Sequence, residues 1–361
     1  MNEKKILILT HEDGRFATKF VGTMEKHEGT NMDTYEMKIL FEDNGFSCSI
    51  LKFSELDMRD NYKGYFVVYA SSEDYGKFYK NYIEDIILRL QLDGAILLPN
   101  YIFLRAHANK SFQELLRASF DKNELREPYS ISVGSYGELK GVASRISYPC
   151  VVKTSSGSGS SGVILVHNEE ELYKHTKKLM TIHYVDYSRD LIQRIKLYIW
   201  RMIKILTKHK HSQPISEKMQ TNKVVIQGFI PGLEGDYKVL YFYERYYILH
   251  RNNRKNDFRA SGSGDFLFPE LSEEVIKVLD YAKMVSAEID QPMISMDIVS
   301  SGTDKCYLIE FQCVYFGPLT MQYSPFYYEN KDGIWTKENN KHSLEEEYCR
   351  SIVEYIGNHY S

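Results

Sequence analysis

The sequence predicts an α/β protein that begins with an open α/β layer and continues in mixed α+β segments. Three observations carry this. The first hundred residues alternate strand-like and helix-like runs; a Gly/Ser-rich loop stands between two apolar strands near the middle; and the last third holds strong strand signals arranged as two hairpins.

The opening layer reads as a strand over 5–10, an amphipathic helix around 32–44, strands at 47–52 and 64–69, a helix near 74–91 and a strand at 94–98. Ligands of such sheets favour the carboxyl ends of strands. That singles out His11, Glu12 and Asp13 after the first strand, and Asn100 and Tyr101 after the last, although solvated turns fit these positions equally well.

The chain has 361 residues, 43% hydrophobic and 26% charged, enough apolar surface for two or three folded domains. Its 45 Lys and Arg stand against 49 Asp and Glu, a net charge of −4, so no global attraction to nucleic acid is expected. Five scattered cysteines match no zinc spacing and read as reduced core residues. The apolar run Ile6–Leu9 is too short for a secretion signal, and no window is long and apolar enough to span a membrane. A cytoplasmic setting is the expectation.

A helical pattern through Phe112, Leu115 and Leu116 is broken by Glu127-Pro128. Cys150–Lys153 then reads as a buried strand ending in a lysine, and Val163–Val166 as the strand after the loop Thr154–Gly162. Because no helix follows this loop, it matches neither common phosphate fingerprint. Successive glycines and serines still suit anion binding, as they suit a flexible hairpin tip.

Residues 189–211 differ from their surroundings. Seven cations (Arg189, Arg194, Lys196, Arg201, Lys204, Lys208 and Lys210) face one acid, Asp190, and apolar residues recur at helical spacing. The pattern predicts a basic amphipathic helix, suited to an anionic membrane surface, to a polyanionic or lipid-linked substrate, or to a solvated or oligomeric face. His209 and His211 lie in this lysine-rich stretch and read as solvated rather than metal-binding.

The final third begins with an apolar strand over 223–229, then a hairpin of 236–242 and 246–250 turning about Glu244-Arg245, and a helix over 271–289. In the second hairpin, 293–300 and 306–311, Met296 and Ile298 alternate with Asp297, while Ile309 and Phe311 alternate with Glu310 and Gln312. If the apolar set is buried, Asp297, Glu310 and Gln312 share the other face. Two carboxylates there need a positive charge between them, which magnesium carried by a nucleotide would supply, unless the face is solvent-exposed and the charges never meet.

The order of these elements resembles the ATP-grasp superfamily over roughly residues 100–320: Lys110 opening a helix, Lys153 before the Ser/Gly loop, the Gln227–Gly232 turn, the Asp236–Val239 strand and the Asp…Glu-Phe-Gln hairpin. The resemblance implies an N-terminal α/β domain over 1–104 and two α+β subdomains, 105–222 and 223–361, holding ATP between them. It implies that Lys110 and Lys153 contact the ATP phosphates, with Ser155, Ser156, Gly157, Ser158, Gly159, Ser160, Ser161 and Gly162 closing over them. Gln227, Gly228, Phe229 and Ile230 match the segment beside adenine. Asp236 matches a ribose or second-substrate contact and Lys238 a further phosphate contact. Arg251, Arg254 and Arg259, before Ala260–Gly264, match the arginine stretch beside the transferred phosphoryl, so Lys153, Arg251 and Arg259 stand as the catalytic set. Asp297 and Glu310 match the metal ligands, and Gln312 stands where asparagine is usual, one methylene longer.

The activity implied is ATP- and Mg2+-dependent joining of a carboxylate to an amine or thiol through an acylphosphate, with one or two ions, in a family where homodimers are common; the basic stretch 189–211 suggests a glycan, a lipid-linked sugar or another anionic surface-polymer precursor as acceptor. A phosphotransferase on the same scaffold and a non-catalytic nucleotide-binding membrane adaptor are the alternatives. Segment 189–211 would give the adaptor, or a ligase, its peripheral contact with the inner membrane surface.

Overall fold

The computed structural model describes residues 4–17, 32–72, 74, 77–157, 162–180, 195–196, 198–199, 202–203, 222–253, 266–301, 305–314 and 316–360. The chain forms two compact units, one of Met1–Ala108, Phe120–Glu127 and Pro231–Ser361, the other of Asn109–Ser119 and Pro128–Ile230.

The first unit starts with β1 (Lys5–Thr10), α1 (Thr34–Asp43), β2 (Ser47–Lys52), β3 (Phe66–Val68), α2 (Phe78–Leu92), β4 (Ile96–Leu98) and α3 (Tyr101–Ala106). The strands pair in parallel in the order β2-β1-β3-β4. Ile6, Leu7, Ile8 and Leu9 are all buried, as expected of a parallel strand covered on both faces. The Asp33 carboxylate starts α1 by accepting from the amides of Tyr35 (2.9 Å) and Glu36 (3.2 Å).

The second unit holds α4 (Lys110–Ala118), β5 (Ser130–Val133), α5 (Leu139–Val142), β6 (Cys150–Thr154), β7 (Val163–Val166), α6 (Glu169–Met180) and β8 (Val224–Gly228). Its antiparallel sheet runs β5-β8-β6-β7. Alternation sends Val133, Cys150, Val152, Val224 and Ile226 to one face, where they pack with Leu172 and Met180 of α6. Glu169, Glu170 and Glu171 in the first turn of α6 and Lys177 and Lys178 in its last complement the helix dipole.

The other face of that sheet is polar and meets α4, where one expectation fails. The helix is present, but its buried residues are Ser111, Gln113, Glu114 and Arg117, while Leu115 is 59% exposed. The Glu114 carboxylate is the reason: it accepts from Arg117 Nε (3.0 Å), Ser130 Oγ (2.8 Å) and Gln227 Nε2 (3.1 Å), so a hydrogen-bonded ion pair rather than an apolar stripe fixes the helix.

The chain then returns to the first unit through β9 (Gly235–Phe242), β10 (Arg245–Asn252), β11 (Phe266–Leu267), α7 (Glu273–Ile289), β12 (Met293–Ser300), β13 (Cys306–Gln312), α8 (Leu319–Tyr323), β14 (Phe326–Lys331), β15 (Ile334–Asn339) and α9 (Leu344–His359). The antiparallel sheet runs β13-β12-β9-β10-β14-β15, with β11 beside β10. The β9–β10 turn lies at Tyr243-Glu244, one residue earlier than expected; both have positive φ, 26° and 66°, matching the strand twist. One core joins this sheet to the parallel layer: Ile6 and Ile8 of β1 cluster with Leu240 and Phe242 of β9 and with Tyr348, Ile352 and Ile356 of α9.

Candidate functional site

In the second unit the residues expected to face phosphate gather where β6 ends. The amide of Lys110 donates to Ser155 O (2.8 Å) and that of Ser111 to Ser155 Oγ (3.3 Å), so Ser155 satisfies two of the free N–H groups at the start of α4. Ser155 Oγ in turn donates to Asn109 Oδ1 (3.0 Å), which also accepts from Lys223 Nζ (3.2 Å). Lys110 Nζ reaches the carbonyl of Gly157 at 2.9 Å, while Ser156 Oγ lies 3.4 Å from Asn222 Oδ1. Lys153 is buried on the polar side of β6, paired with Val225 of β8. The cations and the positive end of α4 thus converge on one loop base.

The loop is closed at its root by Thr154, whose amide donates to Gly162 O (2.9 Å). A Cβ on Gly162 would lie 2.1 Å from Thr154 Oγ1, so a larger residue there requires the threonine side chain to move. Ser158, Gly159, Ser160 and Ser161 lie outside the described residues. Of the segment assigned to adenine, Gln227 and Gly228 belong to β8: the Gln227 amide is buried against Glu114 and the Gly228 amide donates to Tyr129 O (2.9 Å). Phe229 and Ile230 follow the strand, and Ile230 closes the unit.

In the first unit one face of the antiparallel sheet carries Asp236 and Lys238 of β9, Arg251 of β10, Asp297 of β12, and Glu310 and Gln312 of β13. Register brings them together: Asp297 stands opposite Glu310 on one side and Lys238 on the other, and Arg251 stands opposite Asp236. Lys238 Nζ donates to Asp297 Oδ1 (2.9 Å), and Arg251 Nη2 lies 3.1 Å from Asp297 Oδ2. Arg251 also holds Asp236 through two bonds of 2.6 and 2.8 Å, and Gln312 Nε2 donates to Glu310 Oε1 (3.3 Å).

Electrostatics follow from this packing. Burial alone would raise the Asp297 carboxyl, but Lys238 and Arg251 hold it well below the usual carboxylate range. Burial and then the Asp297 charge push Asp236 upward, opposed by Arg251. Burial works against the Arg251 cation, yet Asp297 and Asp236 raise its pKa further. Among the described residues no three His, Cys, Asp or Glu side chains gather into a metal cage. The donor set nevertheless fits magnesium on a nucleotide, which takes one or two carboxylates and completes its shell with phosphate and water; Asp297, Glu310 and the Gln312 amide oxygen are hard donors of that kind.

Arg254, Arg259 and Ala260–Gly264 lie outside the described residues, as do His209 and His211. The loop candidates at the parallel sheet have structural partners. Asn100 Oδ1 accepts from the Ile102 amide (3.2 Å), capping α3, and its own amide donates to Gln291 Oε1 (2.8 Å). His11 is buried beside Phe53 and Tyr79, and burial pushes it down to about 4. Sequence reasoning missed Asn109, Glu114 and Lys223, whose partners are distant in the chain. It also passed over Ser295, a buried hydroxyl in register with Gln312, although its alternation with Met296 marks the polar face.

Residues 115–210 match the family model described as "Carbamoyl-phosphate synthase L chain, ATP binding domain". No curated protein matches the chain in sequence. Among solved structures, the D-cycloserine synthetase DcsG is 13% identical with a TM-score of 0.51, covering 97% of this chain and 99% of that one. The D-alanyl-alanine synthetase A of Vibrio cholerae O1 biovar eltor is 12% identical with a TM-score of 0.51, covering 99% and 100%. The N5-carboxyaminoimidazole ribonucleotide synthetase purK, solved as an ADP complex, is 12% identical with a TM-score of 0.53, covering 98% and 79%. With its parallel layer, its lysine-flanked Gly/Ser loop and the Asp297–Glu310 pair on adjacent strands, this chain has the ATP-grasp fold.

Proposed function

We propose that the protein is an ATP- and magnesium-dependent ligase that activates a carboxylate as an acylphosphate and joins it to an amine. The observation that carries this reading is the in-register pair Asp297 and Glu310, with Gln312 on Glu310 and with Lys238 and Arg251 beside Asp297. The synthetase names of the three similar solved chains support the same class.

In this reading Lys110 and Lys153 bind ATP phosphates as long point charges, and the loop from Ser155 to Gly162 excludes water from the reacting groups. Asp297, Glu310 and Gln312 would hold magnesium, which supplies charge neutralisation on the transferred phosphoryl group. Lys238 and Arg251 orient Asp297, and Arg259 is read from the sequence as a further cation for the transferred phosphoryl group. Phe229 and Ile230 lie against the base. No side chain need act as a nucleophile, because positioning and electrostatics do the work. The acceptor belongs to the anionic glycan or surface-polymer precursors, a choice supported by the seven cations and single acid of residues 189–211.

The test is nucleotide analysis after incubation with ATP, magnesium and pools of amino acids, amines and sugar acids, beside Glu310→Ala. ADP and phosphate released with a carboxylate–amine pair, and lost in the variant, are expected. A phosphorylated acceptor would make the protein a phosphotransferase, and AMP with pyrophosphate would overturn the acylphosphate route.

A further inference from the structure

Most of the basic stretch 189–211 lies outside the described residues, whereas α2 is described throughout. The inner side of α2 is an ordinary packed face on which Ile83, Ile86, Ile87 and Leu90 are buried. Its exposed positions are 78, 81, 82, 85, 88, 89 and 92, which at about 100° per residue fill an arc of roughly 120° on the other side. Four of them hold large apolar side chains: Phe78 is 78% exposed, Leu92 74%, Tyr82 40% and Leu88 38%. The exposed side of α7, by contrast, carries Glu273, Glu274, Lys277, Asp280 and Lys283. Apolar surface on both sides of a helix calls for a cover on both sides.

Area sets the size of that cover. At about 200 Å2 for a whole side chain of this size, the four expose roughly 450 Å2, as much as the largest patch on a typical monomer. Two such faces laid together bury about 900 Å2 of apolar surface, and their polar neighbours Asn81, Asp85 and Arg89 carry the total past the roughly 1,000 Å2 that a specific interface needs.

Charge decides the partner. Asp85 stands at the centre of the arc and forms no ion pair among the described residues, while Arg89 turns to Asp93 at the end of the helix. One acid and one base give an anionic bilayer nothing to attract, and a strongly charged protein no counterpart. A second copy of the same face supplies one. When two α2 helices pack antiparallel about a two-fold axis, every contact of residue i with residue j is repeated as j with i. An axis level with residue 87 sets Asp85 against the partner's Arg89, and Arg89 against the partner's Asp85. The same axis sets Tyr82 against the partner's Leu92 and brings the two Leu88 side chains together at the centre. An axis level with residue 85 would align Phe78 with the partner's Leu92 but would place Asp85 against its own copy, a like-charge contact.

We infer that the exposed face of α2 is the two-fold contact of a homodimer, its antiparallel helices joined by reciprocal Asp85–Arg89 pairs. The inference is independent of the ligase reading, since no residue of this face belongs to the ATP site.

Sedimentation velocity of the full chain from about 1 to 50 µM tests it, with a species of twice the chain mass expected to grow with concentration. F78E/L92E puts acids into the apolar contact and should raise the dissociation constant at least about ten-fold, with a native far-UV circular dichroism spectrum because both side chains are exposed in the single chain. Asp85→Arg and Arg89→Asp, each of which sets like charges against one another across the axis, should weaken the dimer by a similar factor. D85R/R89D should restore most of the loss, which neither misfolding nor a merely weakened apolar contact would do. A native chain that stays monomeric to about 50 µM would overturn the inference, in favour of a different partner for the face. A dimer undiminished in natively folded F78E/L92E would overturn it as well, as would a double exchange that restores nothing.

Discussion

Replacing Asp297 with Asn preserves volume and removes the charge to which two cations are fixed. Its oxygens meet Lys238 Nζ at 2.9 Å and Arg251 Nη2 at 3.1 Å. At an effective dielectric of about 20, each contact represents roughly 5–6 kcal/mol of Coulomb attraction, largely offset by desolvation. Removing one partner of such a pair costs about 3 kcal/mol, which corresponds to a fall of roughly 6–12 °C in Tm for a unit of this size. The second readout is catalytic. Magnesium-dependent ADP release should fall about 100-fold or more, some 3 kcal/mol in the transition state. Magnesium-free ATP binding should change less than about ten-fold, because Lys238 is then freed from its carboxylate partner while Arg251 stays on Asp236. Calorimetric melting, steady-state turnover and titration of ATP in chelator measure the three quantities. An unchanged Tm together with an unchanged magnesium dependence would refute the reasoning.

Glu114→Ala leaves Arg117 and the Gln227 amide without their buried acceptor, and chemical denaturation should register a loss of about 3–5 kcal/mol in the second unit. Gly162→Ala drives a methyl group to 2.1 Å from Thr154 Oγ1; ATP affinity should drop several-fold, and adding Thr154→Ala should restore most of it. Acid should weaken the fold, because burial pushes His11 down to about 4 and His107 down to about 3 from an ordinary value of 6.5. The unfolded chain takes up these protons first, so stability is full above pH 6.5 and declines as pH falls toward 4 and then 3. The slope is roughly 1 kcal/mol per pH unit for each histidine, read from urea midpoints at pH 7 and 5. A His107→Phe variant that kept the native slope would contradict this assignment.

Where placement depends on period-two alternation, the sequence was readable up to the irregularity beside Asp297: alternation puts Ile309 inward, but the register shift there makes Leu308 the buried residue. Asp297, Glu310 and Gln312 share a face because Met296 and Phe311 must be buried, and the strand register then brings the carboxylates together. Lys153 was legible for the same reason, as the polar end of a buried strand. The α4 surface was not: its partners Ser130 and Gln227 lie 16 and 113 residues from Glu114, beyond any local window, and they turn the polar side of the helix inward. The anchoring of Ser155 by Asn109, 46 residues away, escaped for the same reason. Local patterns also separate residues 1–104 from 223–361, whereas apolar side chains from both regions form one core, since hydrophobicity carries no address for its partner.

That shared core bears on how the chain is made. The second unit draws on residues 109–119 and 128–230 alone, so a ribosome releases everything it needs before the antiparallel sheet of the first unit has been synthesised. The parallel layer is translated before the second unit yet completed after it, because Ile6 and Ile8 cluster with Tyr348, Ile352 and Ile356 of α9. Until α9 is made, that surface has only the part of its cover that Met37, Phe41, Phe66 and Val68 supply. Closure of the core around β1 therefore waits on chain synthesised after the whole of the second unit, and until then its apolar side chains depend on chaperone protection.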